Sequence, residues 1–190
     1  MDRKRLEVLI VEDNPGDALL ISELMEEIGL SIHASIAKNG QMALDIFKEG
    51  GVQSGLPTPD LVILDLNLPK VNGFEVLAHI KANPRYRSIP VIIMTGSSNR
   101  DDEEKARGMG VIDYCIKPGT ADEMETTTAC LKRHLEPLSQ FEKKRGEYGP
   151  SATISMNAPP QYSGYRFDRP SKNERFIHDR FQSEHWKMWE

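Results

Sequence analysis

Two hydrophobic rhythms alternate between Leu6 and about Pro137. Short apolar runs lie near 6–12, 31–36, 60–65, 90–95 and 111–116. Between and after them, apolar residues return at helical spacing near 15–28, 40–49, 73–82, 98–108 and 121–135. Short apolar runs bounded by polar residues predict strands buried on both faces of a parallel sheet. In the first helical segment Ala18, Leu19, Ile21, Leu24, Met25 and Ile28 form one stripe, and Gly29 follows as a stop signal. The second opens after Asn39 and presents Met42, Ala43, Ile46 and Phe47 before Gly50 and Gly51. Residues 51–59, with two glycines and two prolines, read as a loop, and Asn83-Pro84 closes the third helix. Five βα units in succession predict an α/β fold: a doubly wound parallel sheet with helices on both faces and right-handed crossovers.

The pattern changes after Pro137. Residues 146–170 contain Gly146, Gly149, Pro150, Pro159, Pro160, Gly164 and Pro170, which argues against regular structure. Nine of the 13 aromatic residues nevertheless lie in 139–190, whereas disordered segments are aromatic-poor. Ser171 and Glu174 fit a capping box, and Phe176, Ile177, Phe181, Met188 and Trp189 roughly share a helical face. The expectation is a domain over 1–138 and an aromatic-rich tail over 139–190 with a helix at 172–188. That helix would pack on its own domain or dock on a second subunit or partner.

Charge narrows the function classes. The net charge of −5 divides into −7 over residues 1–138 and +2 over 139–190. An acidic main domain and a weakly basic tail speak against direct nucleic-acid binding. No apolar stretch approaches the roughly 20 residues of a membrane span, and Leu6 to Val11 is too short for a signal-peptide core, so a cytoplasmic protein is expected. The two cysteines, Cys115 and Cys130, lack metal-like spacing, and Cys115 in its apolar run reads as a buried thiol.

Chemistry-bearing residues follow the apolar runs directly. Glu12 and Asp13 follow the first, Asp65 the third, Thr95 closes the fourth, and Lys117 follows the fifth. Open α/β sheets bind ligands outside the carboxyl ends of their strands, so these groups would converge on one edge. Two carboxylates about 4 Å apart repel by roughly 4 kcal/mol at an effective dielectric near 20. Three of them would protonate or recruit a cation, and hard oxygen ligands suit Mg²⁺. Asp65, on the central strand, is the natural nucleophile toward a phosphoryl group. Lys117 would pair with a phosphoryl oxygen, Thr95 would donate a hydrogen bond, and Gly96 would leave room. The plainer alternative for Asp13 and Asp65 is helix capping.

As a set, Val11-Glu12-Asp13, Asp65, Thr95 and Lys117-Pro118, with Pro69 and Gly73 in the loop after Asp65, resemble the receiver domain of two-component response regulators over residues 6–137. The resemblance implies a flavodoxin-like sheet of order 2-1-3-4-5 and phosphotransfer from a sensor histidine kinase to Asp65. It implies Mg²⁺ held by Glu12, Asp13, Asp65 and the carbonyl of Asn67, and a cis Lys117–Pro118 bond. Tyr114 stands at the family's place for an aromatic that changes rotamer with Thr95, and the output face would be helix four, strand five and helix five. The segment Glu12-Asp13-Asn14-Pro15-Gly16-Asp17 is similar to regulators paired with phytochrome-type kinases. Pro15 suits the first helical turn, and Asp17 reads either as a group supporting the site or, preferably, as a first-turn acid favoured by the helix dipole.

The remaining residues add little. His33, His79, His134, His178 and His185 form no recognisable metal cluster, and the dense mixed charge from Arg100 to Arg107 reads as a solvated face that also suits a subunit interface. The expected function is a phosphorylation-switched binding module, not an enzyme with a turnover substrate. The downstream protein partner is unknown, and a homodimer is among the arrangements the tail admits. A haloacid-dehalogenase-like phosphatase would also use a strand-end aspartate with Mg²⁺, but it needs a second acid where Asn67 stands. A phosphate-insensitive scaffold would not need the complete acid, Thr and Lys set.

Overall fold

The hydrophobic rhythms become alternating elements. A computed structural model describes residues 5–48 and 57–148, and, for Lys48 and residues 141–148, the backbone alone. The order is β1 (Leu6–Val11), α1 (Pro15–Glu27), β2 (Ile32–Ala37), α2 (Gly40–Lys48), β3 (Leu61–Leu64), α3 (Gly73–Ala82), β4 (Val91–Thr95), α4 (Arg100–Gly108), β5 (Asp113–Ile116) and α5 (Ala121–Tyr148). The strands form one parallel sheet of order β2-β1-β3-β4-β5, a flavodoxin-like, doubly wound arrangement.

The two-residue period of the strands sorts their side chains into two cores. Leu9, Val11, Val62, Leu64, Val91 and Ile93 meet Phe47, Val76, Leu77 and Ile80 of α2 and α3, with Ala106 of α4 on the same face. Leu6, Val8, Ile10, Leu61, Ile63, Ile92 and Met94 meet Ile21, Leu24 and Met25 of α1 and Leu131, Leu135 and Leu138 of α5. Each large side chain so buried contributes roughly 1.5–3 kcal/mol. The central strands β1, β3 and β4 are therefore covered on both faces, as their apolar runs predict.

Strand β5 differs. It lies at the sheet edge, its residues are half-buried, and Ile116 is 44% exposed. An apolar run is the same in the sequence whether one or two neighbouring strands cover it. For the same reason Cys115 is half-buried rather than the enclosed thiol its run suggests.

Helix α5 runs on to Tyr148, through Pro137 and past residue 138. Leu131, Leu135 and Leu138 continue one buried stripe across the proline, and this packing outweighs the roughly 3 kcal/mol an interior proline takes from a helix. The helix expected at 172–188 lies outside the described residues. No helix among the described residues is long and apolar enough to cross a membrane.

Helix starts near the carboxyl edge of the sheet are set by asparagines. Asn14 Oδ1 accepts from Gly16 N at 2.8 Å and Asp17 N at 3.4 Å, with Pro15 at the first helical position. Asn72 and Glu75 form a reciprocal capping box at α3, and Asn99 caps α4. The capping alternative for Asp13 and Asp65 thus fails: neighbouring amides satisfy the helices, and both aspartates are left over for other work.

Candidate functional site

The carboxyl edge gathers side chains from four strands. Glu12 and Asp13 leave β1, Asp65 leaves β3, Thr95 ends β4 and Lys117 leaves β5. Parallel register brings them level: Asp65 N donates to Val11 O at 3.0 Å, and Lys117 N donates to Thr95 O at 2.9 Å. Carboxylate oxygens of Glu12, Asp13 and Asp65 all lie within 4.8 Å of one another. Asp65 is 4% exposed and Thr95 is fully buried, whereas Asp13 stands open to solvent.

Lys117 organises the acids. Its Nζ lies 2.7 Å from Asp65 Oδ2, 2.7 Å from Glu12 Oε2 and 2.9 Å from Asp17 Oδ2. Burial alone would favour the neutral amine, but hydrogen bonds to Asp65 and Asp17 and the close Glu12 carboxylate prevail and hold the ammonium above the ordinary lysine range. Asp17 is therefore a member of the site, not only a first-turn acid. Its position three residues into α1 turns it toward β5, a direction that sequence spacing alone does not show.

Glu12 is the strained member. Its Oε1 accepts from Asn14 N at 3.1 Å, while the buried Oε2 meets Lys117 as an ion pair without an aligned hydrogen-bond donor. Burial raises its pKa above the ordinary value, only partly offset by Lys117 and the Asn14 amide. The folded protein thus takes up a proton at Glu12 before the unfolded chain does, so this group lowers stability as pH rises from about 4.5 through its folded value. In chelator at pH 7, Glu12→Gln is expected to raise unfolding free energy by about 1 kcal/mol by relieving an under-solvated charge. Urea denaturation should show that gain shrinking toward zero below pH 4.5, where wild-type Glu12 is protonated in both states. A gain that persists at low pH would refute this origin.

The surrounding loops tie the hydroxyl to the acids. Asn67 N donates to Asp65 Oδ1 at 3.1 Å, and Asn67 Nδ2 donates to Thr95 Oγ1 at 3.4 Å. Ser97 N also reaches Thr95 Oγ1 at 3.4 Å, and Ser97 Oγ donates to Asp102 Oδ2 at 3.1 Å. Tyr114 packs half-buried on the α4 side and donates its hydroxyl to Ser97 O at 3.1 Å, so it touches the loop that leaves Thr95. Burial and the nearby Asp102 and Glu103 push the Tyr114 phenol up, so it stays protonated and able to donate. A methyl group placed on Gly96 would meet nothing within 4 Å, which leaves open space beside Thr95.

One expectation fails in this edge. Among the described residues there is no cis peptide bond, and Lys117–Pro118 is trans. The trans form is favoured by about 0.5–1 kcal/mol even before proline.

A sequence profile of the response regulator receiver domain matches residues 8–129, most of the chain. The chain belongs to the response regulator receiver domain family. It is similar to the probable methanogenesis regulatory protein FilR2 of Methanothrix harundinacea (strain 6Ac), 39% identical over 129 residues, covering 67% of this chain and 81% of that protein. It is also similar to the crystal structure of the Mn²⁺-bound form of response regulator Rcp1, with TM-score 0.63 and 32% identity, covering 68% of this chain and 94% of that one. The crystal structure of the phosphorylated cyanobacterial phytochrome response regulator RcpA is comparable, with TM-score 0.62 and 30% identity over 68% and 92% of the two chains. The likeness of Glu12 to Asp17 to phytochrome-associated regulators thus agrees with the structural neighbours of this receiver domain.

Proposed function

We propose that this receiver domain is a phosphoacceptor in which Asp65 takes a phosphoryl group from a sensor histidine kinase. The observation that carries the reading is a buried Asp65 carboxylate joined to Lys117 at 2.7 Å beside two further acids, with open space at Gly96. In the transfer an Asp65 oxygen attacks phosphorus and the donor imidazole leaves with the electron pair of the broken P–N bond. Lys117 and Thr95 stabilise the oxygens of the transferred group.

The donor set fits a hard divalent cation. Glu12 Oε2 lacks an aligned donor, and carboxylate oxygens of Asp13 and Asp65 lie close by. Mg²⁺ would be held by Glu12, Asp13, Asp65 and the Asn67 carbonyl, and when bound it supplies positive charge beside the phosphoryl oxygens. The Mn²⁺-bound Rcp1 structure supports a divalent ion in this fold.

Phosphorylation adds about 1.5 to 2 negative charges. Thr95 is released from Asn67 and Ser97 as it turns toward that charge, and Tyr114, bonded to the Ser97 carbonyl, follows it. The α4–β5–α5 face then changes its protein contacts. On this reading the protein is a cytoplasmic signalling module, not a turnover enzyme. Its output is a downstream protein or a second copy, with no direct nucleic-acid contact, and the tail over 139–190 serves as an added docking element of the domain over 1–138.

The test uses the full chain with a small acyl-phosphate donor and Mg²⁺. One hydroxylamine-sensitive phosphoryl group per chain is expected, and chelator should abolish its formation. A hydroxylamine-resistant label, or none, would overturn the reading. Steady turnover of a phosphomonoester would instead favour the phosphatase. Against that alternative, Asn67 turns its amide toward Thr95 where a second acid would be required.

A further inference from the structure

A second cluster of reactive side chains lies between the edge strand β5 and helix α5, away from the core acids. Cys115 Sγ and Cys130 Sγ approach to 2.6 Å, and both are free thiols in half-buried residues. They are the chain's only cysteines. Strand alternation turns Cys115 toward the α1/α5 core, and Cys130 reaches back from α5 beside the buried Leu131.

Asp113 completes the cluster. Its Oδ2 accepts from Cys130 Sγ at 3.3 Å, from His134 Nε2 at 2.8 Å and from the Arg133 guanidinium, while Oδ1 accepts from Tyr114 N at 2.9 Å. Burial works against the ionised form, but these donors hold the Asp113 carboxyl well below the usual carboxylate range. The Cys115 contact, burial and the Asp113 charge push the Cys130 thiol up. Cys130 Sγ donates to Asp113 Oδ2 and is thus kept protonated, which leaves Cys115 as the first nucleophile of the pair.

We propose that Cys115 and Cys130 form a reversible intramolecular disulfide, a modification site that fastens β5 to α5. The oxidant is a small-molecule disulfide. The Cys115 thiolate attacks one of its sulfurs and expels a thiolate. Cys130 then gives its proton to solvent, attacks the Cys115 sulfur and expels the second thiolate. Two protein thiols lose two electrons and two protons, and the oxidant leaves as two thiols. A reducing compartment would return the pair to the dithiol, as expected of a transient bond.

Asp113, Cys115 and Cys130 also have the donor types of a metal site, with ligand atoms within 4.8 Å. Two features favour the disulfide. The Arg133 cation and His134 already occupy Asp113. The sulfurs are also far closer than the roughly 3.8 Å that two thiolates keep on one tetrahedral zinc.

The full chain, reduced and then treated with excess oxidised glutathione, tests the proposal by intact mass and thiol alkylation. The wild type should lose two hydrogens and both alkylatable thiols, stay monomeric by mass, and carry no glutathione. Reductant should restore both thiols. Peptide mapping should find the segments of Cys115 and Cys130 joined. Cys130→Ser should instead accumulate one glutathione on Cys115, and Cys115→Ser serves the same purpose should the first variant not fold. Wild-type protein that ends as a glutathione adduct, keeps both thiols, or retains one zinc per chain that blocks alkylation would overturn the proposal. Asp65→Asn should oxidise as the wild type does, so failure here and failure of the phosphoacceptor reading are separable.

Discussion

Asp65→Asn is expected to reduce phosphoryl labelling to background while the receiver domain stays folded. The substitution keeps side-chain shape but removes the nucleophile, because a neutral amide oxygen does not form an acyl phosphate at a useful rate. Lys117 retains Glu12 and Asp17 as partners, at 2.7 and 2.9 Å, so no buried cation is stranded. The amide has one acceptor oxygen where the carboxylate has two, so it keeps either Lys117 Nζ or Asn67 N and turns its NH2 toward the other. That lost bond and the relief of repulsion with Glu12 and Asp13 act in opposite directions, so stability should change by no more than about 2 kcal/mol. Labelling with an acyl-phosphate donor and Mg²⁺, read beside a urea titration, separates the two effects. Undiminished label on a folded variant would sink the assignment of Asp65.

Gly73→Ala is expected to destabilise the fold by about 3 kcal/mol, the upper range for forced overpacking. A methyl group at this position would sit 2.1 Å from the Asp65 carbonyl oxygen and 2.6 Å from Leu66 Cα. Both are backbone atoms, so no side chain can turn aside. Gly73 N also donates to Leu66 O at 2.9 Å, which ties the first turn of α3 to the loop leaving β3. Relief requires α3 to withdraw from β3, and that movement drags Asn67 and the Asp65 carboxylate from their positions. The midpoint of urea denaturation should fall accordingly, with phosphoryl labelling reduced in the fraction that remains folded. Gly96→Ala is the control: its methyl group meets no atom within 4 Å, and unchanged stability is expected. Equal stability losses for the two variants would refute the close-approach argument.

Gly40 makes the same kind of contact. A methyl group there would lie 1.9 Å from Val71 O, so α2 and the β3–α3 loop also meet backbone to side-chain-free backbone. Composition marks both glycines only as small residues near helix starts. That they must be glycine depends on chain segments 31 positions or more apart for Gly40 and Val71, and on the β3 terminus for Gly73. The Pro69 to Gly73 segment was legible as a motif, but the contact that demands Gly73 was not.

Elsewhere the legible and illegible parts divide along similar lines. The apolar runs at 60–65 and 90–95 locate β3 and β4 because their burial follows from the pattern itself. The run at 111–116 exceeds β5, which starts at Asp113, because Val111 and Ile112 pack on opposite faces of the sheet before the strand begins. Pro137 reads as an end because it removes an amide donor, yet Leu138 belongs to the stripe of Leu131 and Leu135 and α5 continues. Asp17 appears as a dipole-favoured acid because Lys117, 100 positions away, is needed to reveal its other partner. The trans Lys117–Pro118 bond was likewise not readable from the motif.

The alternation of apolar runs and stripes was sufficient for the βα order and for the choice of Glu12, Asp13, Asp65, Thr95 and Lys117, since strand ends and side-chain chemistry are both local properties of the chain. Three dimensions were needed to give Lys117 its third acid, to expose β5 at the rim, and to press Cys115 against Cys130. Those outcomes depend on which distant segments pack together, and packing, unlike periodicity, is not written in any one stretch of residues.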